Sequence, residues 1–112
     1  MLNADDSLKA IREAARLSPE NLPLRRHLAD LLLQSGRPEE AEQEYRAALN
    51  LSPTDQHLKI GLASAFYQQG KNSEALVVLE DLAKTVEMTA RGYLLYARLL
   101  LRAGETVRAS QA

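Results

Sequence analysis

His27 and His57 are the only imidazoles in the chain, and cysteine is absent. The two histidines lie far apart, and neither has a partner at a metal-site spacing. Without cysteine there is neither a disulfide nor a thiolate ligand. The glycines are scattered singly, so no phosphate-cradling loop forms. No serine sits in a nucleophile elbow. Glu39, Glu40, Glu42 and Glu44 read as one solvated helix face, with the earliest of them favourably placed at the helix start. No acid, base and nucleophile converge. The expectation is therefore a protein that is not an enzyme, with no catalytic residue, no cofactor and no metal.

What remains is recognition chemistry, carried by arginines and large apolar side chains. The chain has 112 residues, 46% hydrophobic and 26% charged, which suits one folded domain. The net charge of −1 leaves no basic excess for nucleic acid and no polybasic membrane anchor. Residues 1–6 carry early acids and do not resemble a secretory signal. The longest apolar stretch, Tyr93 to Leu101, is interrupted by Arg98 and is too short to span a bilayer. A cytoplasmic location is expected, with neither nucleic acid nor membrane as partner.

The elements that position these side chains follow from an internal repeat. Shifted by 34 residues, Gly36 meets Gly70 and then Gly104; Ala29 meets Ala63 and Ala97; Ala41 meets Ala75 and Ala109. In the other direction Ala48, Leu51 and Pro53 meet Ala14, Leu17 and Pro19. Apolar residues recur at helical spacing, as in Leu24, Leu28, Leu31, Leu32 and in Ala41, Tyr45, Ala48, Leu49. The glycines fall where a helix needs a left-handed end. Pro38 suits a first helical turn, and Asn21 and Thr54 are candidate N-caps. This predicts seven helices, over 4–17, 21–35, 38–50, 55–69, 72–84, 89–103 and 105–111. Ala29, Ala63 and Ala97 would let paired helices approach closely. Gly61 and Gly92, inside or near helix starts, read as tolerated local weakness or tight packing between helices rather than as close backbone approach by a ligand.

The pattern resembles the tetratricopeptide repeat (TPR). Residues 22–55 supply Leu28, Ala29, Leu32, Ala41, Tyr45, Ala48 and Pro53 to it. Residues 56–89 supply Leu62, Ala63, Phe66, Ala75, Leu79 and Leu82. Residues 90–112 read as a truncated repeat and 4–17 as the second helix of an earlier one, all in a single domain over 1–112. Arg25 and Lys59 stand where the family carries a large aromatic, and Glu87 where it carries proline. The resemblance implies an all-α, right-handed solenoid of helical hairpins. It is also similar to N-terminal segments of some bacterial AAA+ ATPases.

The resemblance further implies that the first helix of each pair lines a concave groove. The residues so placed are Arg26, Asp30 and Leu33; His57, Ile60, Ser64 and Tyr67; and Arg91, Leu94, Arg98, Leu101 and Arg102. Leu28, Leu32, Leu62, Phe66, Tyr96 and Leu100 fill the opposite, core face, so Leu33, Ile60, Tyr67, Leu94 and Leu101 are expected as an exposed apolar strip. The expected function is a scaffold that holds a partner protein, peptide or helix with apolar and acidic side chains. A chaperone-tail clamp is not expected. Arg26 and Arg91 match two of its basic positions, but Asp30, Gly61 and Leu95 replace others, and an aspartate would repel a carboxylate. The alternative is an oligomerisation or targeting module of a larger enzyme, packing through the incomplete last repeat. A homodimer through the C-terminal helices is its simplest form; the start of one chain covering the end of another is a second.

Overall fold

The computed structural model describes the backbone of residues 4–111 and the side chains of residues 5–105. Among the described residues there are helices and no strands. They are α1 (Ala4–Leu17), α2 (Leu22–Gln34), α3 (Pro38–Leu51), α4 (Gln56–Gln68), α5 (Asn72–Thr85) and α6 (Ala90–Gln111).

Each boundary has a local cause. The Asn21 side chain caps α2 by accepting from the Leu24 amide at 3.1 Å. Asp55, one residue after the expected Thr54, caps α4 by accepting from the Leu58 amide at 3.2 Å. Gly36 and Gly70 take φ of 74° and 78°. That conformation lets the Arg37 amide reach back to the Leu32 carbonyl and the Lys71 amide to the Phe66 carbonyl, closing each helix end. Pro38 then opens α3, where its missing N–H costs no bond.

The third glycine of the repeat behaves differently. Gly104 lies within α6, so the two helices expected at 89–103 and 105–111 are one. A glycine inside a helix costs only about 1 kcal/mol relative to alanine. Left-handed backbone is found only at Gly36 and Gly70 among the described residues, and no proline follows Gly104 to stop the helix.

Packing is between neighbours. Each helix contacts the next in sequence; in addition α2 contacts α4, and α4 contacts α6. Among the described residues α3 and α5 do not meet. The layer α2, α4, α6 is thus closed side by side, whereas in the other layer α1 reaches α3 through the Arg12–Glu40 ion pair at 3.5 Å and a hollow lined by Leu49 and Val77 lies between α3 and α5; the closed layer is the inner wall of a curved stack. The Cα radius of gyration is 15.5 Å, against about 13 Å for a compact chain of this length. The core runs lengthwise through both layers. Leu28, Ala29 and Leu32 meet Ala41, Tyr45 and Ala48; Leu62, Ala63 and Phe66 meet Ala75, Leu79 and Leu82. All are buried.

On α6 the expected core face is displaced. Leu100 is 50% exposed, Ala97 is exposed and Tyr96 is half-buried. Gly92, Leu95 and Leu99 are buried instead. These three are the repeat equivalents of Leu58, Gly61 and Ala65, the side of α4 that faces the preceding repeat. The physical reason is that α6 packs onto α4 and α5, while no following helix covers its other side among the described residues.

Candidate interaction surface

Tyr45 organises the inner wall. Its ring is fully buried, although the residue belongs to the outer helix α3. A Cβ built at Gly61 would stand 2.3 Å from Tyr45 Cε1, so the ring fills the space left by the missing side chain. From there the hydroxyl reaches α2 and donates to Asp30 Oδ1 at 2.5 Å. Burial first, then the hydrogen bond to Asp30 and that carboxylate's charge, push the phenol well above its ordinary range; Arg91 works in the opposite direction.

Asp30 also binds His57 of α4. His57 Nε2 lies 3.1 Å from Oδ1 and 3.0 Å from Oδ2. A carboxylate offers lone pairs only, so Nε2 carries the proton and donates. Tyr45, Asp30, His57 and Arg91 thereby bring residues from α3, α2, α4 and α6 together on one polar seam along the inner wall.

The residues expected in the groove lie on the three inner helices, but they are not equally available. Arg26, Arg91, Leu94, Arg98, Leu101 and Arg102 are exposed. Asp30, His57, Ser64 and Tyr67 are partly buried. Leu33 is 8% exposed and Ile60 only 2%. The apolar strip is therefore narrower than expected. Ile60 lies over Gly92, where an added Cβ would come within 2.9 Å of its Cδ1, so it seals α4 against α6. Ser64 turns its hydroxyl onto the Ile60 carbonyl at 2.9 Å. The Arg102 guanidinium stacks over the Tyr67 ring at 4.8 Å from its centroid, a cation–π contact that joins the second and third repeats.

Two features were not found from sequence. The first is the role of the acidic run on α3. Glu44 pairs with Arg25 at 3.0 Å. Glu42 accepts from Gln69 at 2.9 Å, Arg46 at 3.0 Å and Lys71 at 3.3 Å. These two glutamates therefore join helices and are not a merely solvated face. The second is charge segregation. Asp30 and Glu105 are the only acids on the inner helices α2, α4 and α6, which together carry seven Lys or Arg residues. The outer helices α1, α3 and α5 carry ten acids against five Lys or Arg. The signal was present in the sequence, but it emerges only when charges are counted by alternate helix.

Among the described residues no group of three or more metal-ligating side chains comes together, and no helix is long and apolar enough to cross a membrane. A family model described as Tetratricopeptide repeat matches residues 3–50 and 41–99. Comparison with curated proteins gives no match.

Proposed function

The chain belongs to the tetratricopeptide-repeat family, and on that premise we propose that it is a scaffold whose inner wall holds an acidic segment of a partner protein. The family is a typical non-enzymatic protein-interaction fold. The observation that carries the proposal is the charge segregation: α2, α4 and α6 carry seven of the chain's 14 Lys and Arg residues but only two of its 15 acids. Basic side chains along a concave wall attract carboxylates, and guanidinium forks hold them in paired hydrogen bonds. Arg26, Arg91 and Arg98 supply such forks, and Leu94 and Leu101 supply exposed apolar anchors.

The experiment is affinity capture from lysate with mass spectrometry, comparing the chain with Arg26→Ala, Tyr67→Ala and Arg98→Ala variants. Partners retained by the parent should be depleted by each variant. Identical partner sets for all four proteins would place binding elsewhere.

A second reading is supported by the uncovered side of α6. Tyr93, Leu94, Leu100 and Leu101 are 46%, 54%, 50% and 69% exposed. A cluster of large apolar residues on one helix is the kind of patch that marks a contact surface. In this reading α6 packs against another copy or another domain, and the module serves assembly or targeting. Light scattering across a concentration series tests the homodimer form. A mass that stays monomeric throughout removes it.

A further inference from the structure

Beside the polar seam lies a cavity of about 140 Å³, lined by Gln56, His57, Ile60, Thr89 and Arg91. Its walls come from α4, from the segment before α6 and from the first turn of α6. We propose that this cavity is a subsite for a single carboxylate side chain, a glutamate or aspartate of a bound polypeptide, held between Arg91 and His57. The proposal rests on the inner-wall reading and names one contact within it.

Three observations carry the assignment. The first is the donor set. Arg91 is exposed and presents a planar fork suited to two parallel bonds with a carboxylate. The second is the fixed orientation of His57. Asp30 holds Nε2 through both of its oxygens, which leaves Nδ1 as the ring nitrogen free of that contact. When the ring is neutral Nδ1 is a lone pair; when it is protonated Nδ1 becomes a second donor. The third is the construction of the walls. The Gln56 amide oxygen accepts from the Thr89 amide at 2.7 Å, and the Gln56 amide nitrogen donates to the Glu87 carbonyl at 3.5 Å. This tethers the segment before α6 to the start of α4. Ile60 supplies an apolar surface for the methylenes of an incoming side chain.

Asp30 does not oppose a carboxylate here as the sequence suggested. It is engaged by the Tyr45 hydroxyl and by His57, so its charge faces donors within the seam. The charged and titratable groups beside His57 are Asp30 on α2, Tyr45 on α3, which reaches the same carboxylate, and Arg91 on α6, which lines the same cavity. A protonated His57 offers the ligand a donor and a positive charge.

The test uses NMR on the isotopically labelled 112-residue chain, titrated with sodium acetate, with acetyl-Leu-Glu-Ala-amide and with the corresponding glutamine peptide. Saturable shifts are expected at His57, Ile60, Thr89 and the Arg91 side chain. The glutamate peptide should bind at least about fivefold more tightly than either the glutamine peptide or acetate. Arg91→Gln should abolish the shifts. His57→Gln, which retains a donor toward Asp30, should weaken binding by about fivefold or more without abolishing it, because Arg91 remains. No saturable shift at these residues, or equal binding of both peptides, overturns the subsite. Acetate binding as tightly as the glutamate peptide overturns the polypeptide source in favour of a free small carboxylate. If the subsite fails while Arg98→Ala still depletes captured partners, the inner-wall reading stands without it.

Discussion

Tyr45 and Gly61 work as one packing unit, since the ring occupies the volume where a side chain on α4 would stand. Gly61→Ala places a methyl carbon 2.3 Å from Tyr45 Cε1, and that ring is fully buried. The expected loss is about 2 kcal/mol, typical of overpacking, read as a lower denaturant midpoint. Gly104→Ala is the control. Gly104 is helical and exposed, with nothing within 4 Å of an added Cβ. That substitution should stabilise by up to about 1 kcal/mol through helix propensity alone. Equal effects of the two substitutions would contradict the packing argument. Tyr45→Phe keeps the ring and removes the donor to Asp30. It should cost about 1.5–3 kcal/mol, the usual range for a hydrogen bond to a charged group, and chemical denaturation checks it.

At the scale of elements, α3 is tied to α4 through Glu42. Partial burial works against its charge, but hydrogen bonds from Gln69, Arg46 and Lys71, with the Lys71 charge, hold its carboxyl below the ordinary carboxylate range. Because the folded value is depressed, the stabilisation is present above the unfolded carboxyl's titration. It is lost as pH falls through the lower folded value. Glu42→Gln should therefore cost about 1 kcal/mol at neutral pH. In strong acid it should cost nearly nothing. Thermal melts of both proteins across the acid range check this, and a gap that persists undiminished in acid would remove Glu42 as its source.

The same scale shows what the sequence made legible. A local signal marked the helices: glycine at a left-handed end, proline at a first turn, and small alanines in register. Gly36, Gly70, Pro38, Ala29 and Ala63 all do what their types require. Gly104 misled because a repeat position does not dictate a helix end unless a following helix exploits the turn. Leu100 and Ala97 misled for the same reason, since their burial needs a covering helix that α6 lacks among the described residues. The Asp30–His57 pair joins residues 27 apart in sequence. No local spacing announces such a contact; the way successive repeats stack creates it. Leu33 and Ile60 were placed on the right helices, but their burial depends on how closely those helices approach, which Gly92 sets.

For the whole molecule, alternate helices segregate by charge: Arg25 turns to Glu44 of α3 and Lys59 lines a hollow with Glu80 and Asp81 of α5, which leaves Arg26, Arg91, Arg98 and Arg102 as the exposed cations of the inner wall. Long-range attraction between such a wall and an acidic partner is screened by salt, with a Debye length of about 8 Å at physiological ionic strength. Binding should thus weaken markedly as salt is raised, whereas association through the apolar side of α6 should persist. Leu101→Glu, on an exposed position of α6, should leave thermal stability within about 0.5 kcal/mol of the parent. It should also reduce any self-association seen by light scattering.

Site-specific photo-crosslinking distinguishes the two walls most directly. A photoreactive side chain is placed either at Leu94, exposed on inner α6, or at Val77, exposed on outer α5. Discrete adducts should form from position 94, diminish when Arg91 and Arg98 are replaced by alanine, and be absent from position 77. Adducts arising from position 77 alone, or adducts from position 94 that ignore the arginine substitutions, would contradict the account.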